Sequence, residues 1–92
     1  MPDYLLIQRR TALTRQWETL AWIKLNQGRI AEVITGDGHL LEGPEARTGP
    51  WGNLLGVLLL RDTWTDRTGR LYRRRYVPSA RYWLIRRRAK RC

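Results

Sequence analysis

The sequence predicts a small α+β domain, an antiparallel sheet of about four to five strands with one N-terminal helix. Three observations support this. A chain of 92 residues has room for one hydrophobic core and no second. Its content of 42% hydrophobic and 28% charged residues is that of a globular protein, not of a disordered one. Short apolar segments alternate with Gly, Pro and Asp at hairpin intervals, most clearly where Gly36-Asp37-Gly38 parts Ile30–Thr35 from His39–Glu42.

Residues 11–27 carry Leu13, Trp17, Leu20 and Ala21 at helical spacing, and this stripe is read as the N-terminal helix, with Gly28 as its stop. The same residues also suit a strand, with Ala21, Ile23 and Leu25 alternating against Trp22 and a turn at Asn26-Gln27-Gly28. Next comes the hairpin over 30–42, because Asp-Gly supplies the positive φ that a tight turn demands. Gly43 to Pro50 is rich in breakers and reads as an exposed loop. Leu54–Arg61 and Arg70–Val77 read as two strands, joined by the polar stretch Asp62 to Gly69. The segment 79–90 has two readings, a helix capped by Ser79 or a strand over 81–86 that turns back at Val77–Ala80. Tyr82, Trp83, Leu84 and Ile85 point in every direction around a helix, which favours the strand. The alternative architecture is a mostly β meander closed by a C-terminal helix. Residues 1–86 form the globular domain in this reading, and 87–92 a short basic tail.

Eighteen Lys and Arg against eight Asp and Glu give a net charge of +10. Residues 1–60 hold six basic and six acidic side chains, while residues 61–92 hold twelve basic and two acidic, so the whole excess lies in the last third. Such a block suits an anionic partner. Arginine there is interleaved with large apolar groups, in Leu71–Val77 and in Arg81–Arg88, unlike the composition of a disordered arm.

Several function classes drop out. The longest apolar run, Leu54 to Leu60, has seven residues, and a bilayer span takes about 20. The lone Cys92 allows no intramolecular disulfide, which points to a reducing, cytoplasmic setting. There is no phosphate-cradling Gly-rich motif. The spacing of Asp37, His39 and Glu42 matches no metal motif, so neither a cofactor nor a metal is expected. A small metal-independent RNase built on Tyr72, Arg74 and Tyr76 ranks low, since an unperturbed phenol is a poor base.

Strand alternation over 71–77 sets Tyr72, Arg74 and Tyr76 on one side and Leu71, Arg73, Arg75 and Val77 on the other. The resulting expectation is a non-enzymatic nucleic-acid-binding domain. Arg70, Arg73, Arg74, Arg75, Arg81, Arg86, Arg87 and Arg88 are the candidates for phosphate contacts, and Tyr72 and Tyr76 for base stacking. The rival reading is a protein-interaction module that docks on an acidic protein or a nucleoprotein complex through Trp51 and Trp64, aromatic anchors in polar or Gly/Pro-rich surroundings.

Overall fold

The computed structural model describes residues 2–11, 13, 15–47 and 61–91. The elements among them are β1 (Asp3–Arg10), β2 (Glu18–Asn26), β3 (Arg29–Thr35), β4 (His39–Glu42), α1 (Pro44–Arg47), β5 (Thr63–Thr65), β6 (Leu71–Tyr76), α2 (Ser79–Arg88) and β7 (Lys90–Arg91). They form one sheet in the order β5-β6-β1-β2-β3-β4-β7. Six of these strands are antiparallel, and β7 adds a two-residue parallel pairing against β4 at one edge.

Among the described residues of 11–27 there is no helix. β1 and β2 pair directly, Leu5 opposite Ile23 and Leu6 opposite Trp22, and Leu13 is almost fully exposed. The strand reading wins because both faces of this sheet are buried. Ala21, Ile23 and Leu25 go to one face and Trp22 to the other, so the run looks continuously apolar and mimics a helix stripe. Gln27 (φ 53°) and Gly28 (φ 76°) then make the two-residue turn into β3.

The β3–β4 hairpin is present as expected, turning through Asp37 and Gly38 (φ 91°). Within the loop expected over Gly43–Pro50, Pro44–Arg47 is instead one helical turn that buries Ala46. Proline suits the first helical position, where its missing N–H has no role. The strand expected over Leu54–Arg61 lies outside the described residues apart from Arg61, as do Trp51 and Cys92. β6 falls where a strand is expected, and its partner β5 arises inside the stretch read as a connection.

The C-terminal segment is a helix. Pro78, extended at φ −62° and ψ 145°, takes the cap position expected for Ser79, and Ser79 begins α2. α2 lies over the face formed by Tyr4, Leu6, Trp22, Ile34 and Leu40, inserting Tyr82 with Ile85 and Ala89 beside it. Those three positions share one helix side. Trp83 and Leu84 remain outside, 39% and 56% exposed. The arginines of its last turn favour a helix C-terminus. Arg87 and Arg88 complete α2, and β7 follows, where a basic tail is expected. The opposite face of the sheet buries Leu5, Ile7, Ala21, Ile23, Leu25, Val33 and Tyr72. Among the described residues, no helix is long and apolar enough to cross a membrane.

Candidate nucleic-acid interface

Register decides which cations meet. β1 and β6 pair antiparallel with Leu6 opposite Arg75, Gln8 opposite Arg73 and Arg10 opposite Leu71. Alternation therefore sets Arg10, Gln8, Arg73 and Arg75 on the face that carries α2. The helix covers the part of that face built by Tyr4, Leu6, Trp22, Ile34 and Leu40, and it leaves the corner of β6 and the far end of β1 open.

Trp17 closes that corner. The Arg73 guanidinium lies 3.8 Å from the centre of the Trp17 ring and that of Arg10 lies 5.0 Å from it, both within cation–π range. Arg73 Nε also donates to Gln8 Oε1 at 2.8 Å. Desolvation, and then the neighbouring charges of Arg75 and Arg10, hold Arg73 below the ordinary arginine value. It remains a cation all the same. On the helix side, Arg81 stands 5.8 Å from the Trp22 ring. Among the described residues, no carboxylate forms an ion pair with Arg10, Arg73, Arg75 or Arg81.

Two clefts flank the corner. One of about 400 Å³ has Gln8, Arg75, Tyr76, Pro78 and Arg81 among its walls, and one of about 270 Å³ is lined by Arg10, Thr11, Thr65, Gly69 and Leu71.

The expected cationic and aromatic set is thus divided. Arg73, Arg75 and Arg81 come together, whereas Tyr76, 67% exposed, alternates to the opposite face with Tyr72 and Arg74, whose guanidinium lies 5.7 Å from the centre of the Tyr76 ring. Tyr72 cannot stack on a base. It is buried, its ring centroid 5.3 Å from that of Trp64, and its hydroxyl donates to Asp66 Oδ2 at 3.0 Å. Arg74 sits on the Tyr72 face and pairs with Asp62 at 3.1 Å. Tyr72, Arg74 and Tyr76 therefore form no open acid–base set. Arg86 is bound to Glu32 at 2.9 Å and to Glu42 at 3.3 Å. Arg70 is exposed before β6, and Arg87 and Arg88 are exposed at the end of α2. Trp64 is a half-buried strand residue and not a loop anchor, because Tyr72 on the neighbouring strand offers it a ring to pack on. His39 Nδ1 lies 3.1 Å from Asp37 Oδ2, while Glu42 turns to Arg86. The described residues hold no group of three or more His, Cys, Asp or Glu side chains able to hold a metal.

Arg10, Gln8 and Trp17 join the site without having stood out in the sequence. Arg10 belongs to the electrically neutral part of the chain, and only its pairing with β6, sixty residues on, adds it to the excess. Comparison with protein-family models, curated proteins and solved structures finds no match to this chain.

Proposed function

We propose that the protein is a nucleic-acid-binding domain that contacts phosphates through Arg10, Arg73, Arg75 and Arg81 and acts by binding, without catalysis. One observation carries this reading. Four guanidinium groups from β1, β6 and α2 gather on one open surface without a carboxylate partner among the described residues, and two of them are held against the same indole. Guanidinium forks pair with phosphate oxygens in bidentate fashion, and arginines already oriented by a ring lose less freedom on doing so. The +10 net charge adds a long-range attraction to any polyanion.

The test is affinity for duplex DNA, single-stranded DNA and structured RNA at several salt concentrations. Four phosphate contacts give a slope of log K against log salt of about −3 to −4. Failure to bind all three at about 50 mM salt, where such contacts are strong, overturns the reading and leaves an acidic protein as the partner.

A further inference from the structure

α2 carries apolar side chains on two opposite sides, and the sheet covers one of them. Tyr82, Ile85 and Ala89 face inward. At helical spacing, Ala80, Trp83, Leu84, Arg87 and Arg88 make up the opposite stripe, and all five are exposed. The Trp83 ring is held there by edge-on contacts with Tyr4 at 6.5 Å and Tyr82 at 6.0 Å, and the Lys24 ammonium lies 5.3 Å from its centre. Arg87 and Arg88 form no ion pair among the described residues, and no Asp or Glu follows Asp66 in the chain. The cationic corner uses none of these five residues.

We propose that this stripe seats α2 on an anionic lipid bilayer, with Trp83 and Leu84 at the boundary of headgroups and acyl chains and Arg87 and Arg88 on lipid phosphates. The function is additional to the nucleic-acid reading and does not depend on it. Charge complementarity alone would suit any polyanion, and the apolar half of the stripe makes the choice. Leu84 and Ala80 are aliphatic and give a nucleic acid nothing to stack on or bond to, whereas an acyl layer takes up both. An indole, apolar in body with one N–H, suits the headgroup boundary. A helix lying in the interface plane buries its apolar side there, and arginine stems let the charged ends stay among the headgroups. At ten residues, α2 is long enough to lie on a bilayer and too short to span one.

The experiment is flotation of the full chain with vesicles of phosphatidylcholine alone and of phosphatidylcholine mixed with phosphatidylglycerol. Binding is expected to the mixed vesicles and to be about twentyfold weaker to the neutral ones. Leu84→Ser, at an exposed position where a thermal melt should show the fold intact, is expected to weaken it about fivefold, and Arg87→Ala with Arg88→Ala about twentyfold. Phosphatidylcholine brominated on its acyl chains quenches a tryptophan at the boundary, so tryptophan fluorescence should fall on binding, and Trp83→Phe should lose that fall while still floating. Absence of binding to the mixed vesicles overturns the inference, and so does quenching that persists in Trp83→Phe. Binding that Leu84→Ser leaves unchanged overturns it as well, because charge alone would then hold the protein. A Trp83→Ala variant that weakens binding to a labelled oligothymidylate about tenfold and leaves vesicle binding unchanged assigns the stripe to nucleic acid and overturns it too.

Discussion

The Tyr82 hydroxyl donates to Glu32 Oε1 at 2.8 Å, and both residues are buried between α2 and the sheet. Arg86 Nε donates to the same oxygen at 2.9 Å and reaches Glu42 with its terminal nitrogen. Burial first, and then the Glu32 hydrogen bond, push the Tyr82 phenol well above its usual pKa, so it stays a donor throughout the working pH range. Glu32 is the polar peg on which the helix hangs. With α2 in place, Arg81 is carried to the edge of the open cationic corner.

Removing that peg is expected to cost stability. Tyr82→Phe deletes one donor and leaves Arg86 on the carboxylate, a loss of about 1–2 kcal/mol. Glu32→Ala strands a buried hydroxyl and a partly buried guanidinium, for about 2–3 kcal/mol. Urea unfolding followed by tryptophan fluorescence measures both, and equal losses in the two variants would show that Arg86 contributes nothing to the docking.

For the cationic corner, the variant carrying Arg10→Ala, Arg73→Ala and Arg75→Ala together is expected to shrink the salt slope of nucleic-acid binding by about 2 to 3, since each lost phosphate contact removes about 0.7 to 0.9. Arg87→Ala with Arg88→Ala, at the far end of α2, should change the slope by less. Were the second variant the more damaging, the interface would have to move to the C-terminal end of the helix.

Trp64→Ala is expected to act on the fold and not on binding. The ring packs on Tyr72 at 5.3 Å and is half-buried at the sheet edge, so its loss costs about 1–3 kcal/mol. A thermal melt and a binding isotherm on the same sample separate the two effects. A stable variant with lost binding would restore Trp64 as a partner anchor.

Acid should loosen the β5–β6 turn. Asp66 accepts from the Thr68 hydroxyl at 2.7 Å, from the backbone N–H of Thr68 at 2.9 Å and of Arg70 at 3.0 Å, and from the Tyr72 hydroxyl. These bonds, that of the Thr68 side chain above all, lower its pKa from 3.8 to about 2. A carboxyl group depressed in the folded state contributes stability above its unfolded value, and that contribution fades as pH falls from there through the folded value. The window is therefore about pH 4 down to about pH 2. In Asp66→Asn the melting temperature should lose this component of its pH dependence, and an NMR titration of the wild-type carboxyl that midpoints near 3.8 would contradict it.

Sequence reasoning reached some elements and missed others for reasons that can be named. The β3–β4 hairpin was legible because Asp37-Gly38 is a local signal, and β6 because turn formers bound it. β2 was hidden by burial on both faces, which erases the period-two pattern wherever Trp22 sits between Ala21 and Ile23. α2 was hidden by the opposite circumstance. Trp83 and Leu84 are apolar yet exposed, so the helical stripe of Tyr82, Ile85 and Ala89 does not stand out. In the interface, the C-terminal cations were legible from composition. Their division between two faces depended on strand phase, and the contributions of Arg10 and Trp17 depended on a pairing between distant segments.

That pairing of β1 with β6 ties the cationic surface to the folding reaction itself. Arg10 and Trp17 meet Arg73 only after the chain has closed a loop of some sixty residues, whereas a basic tail would present its charges whether or not the domain had folded. A ligand that recognises the assembled corner draws the equilibrium toward the native state, by about 2.7 kcal/mol when its free concentration is a hundredfold above Kd and it ignores the unfolded chain. The unfolded chain carries the same +10 and takes back part of this. What survives is the share of affinity that belongs to geometry and not to charge, so the rise in melting temperature with added ligand measures how far the protein recognises shape.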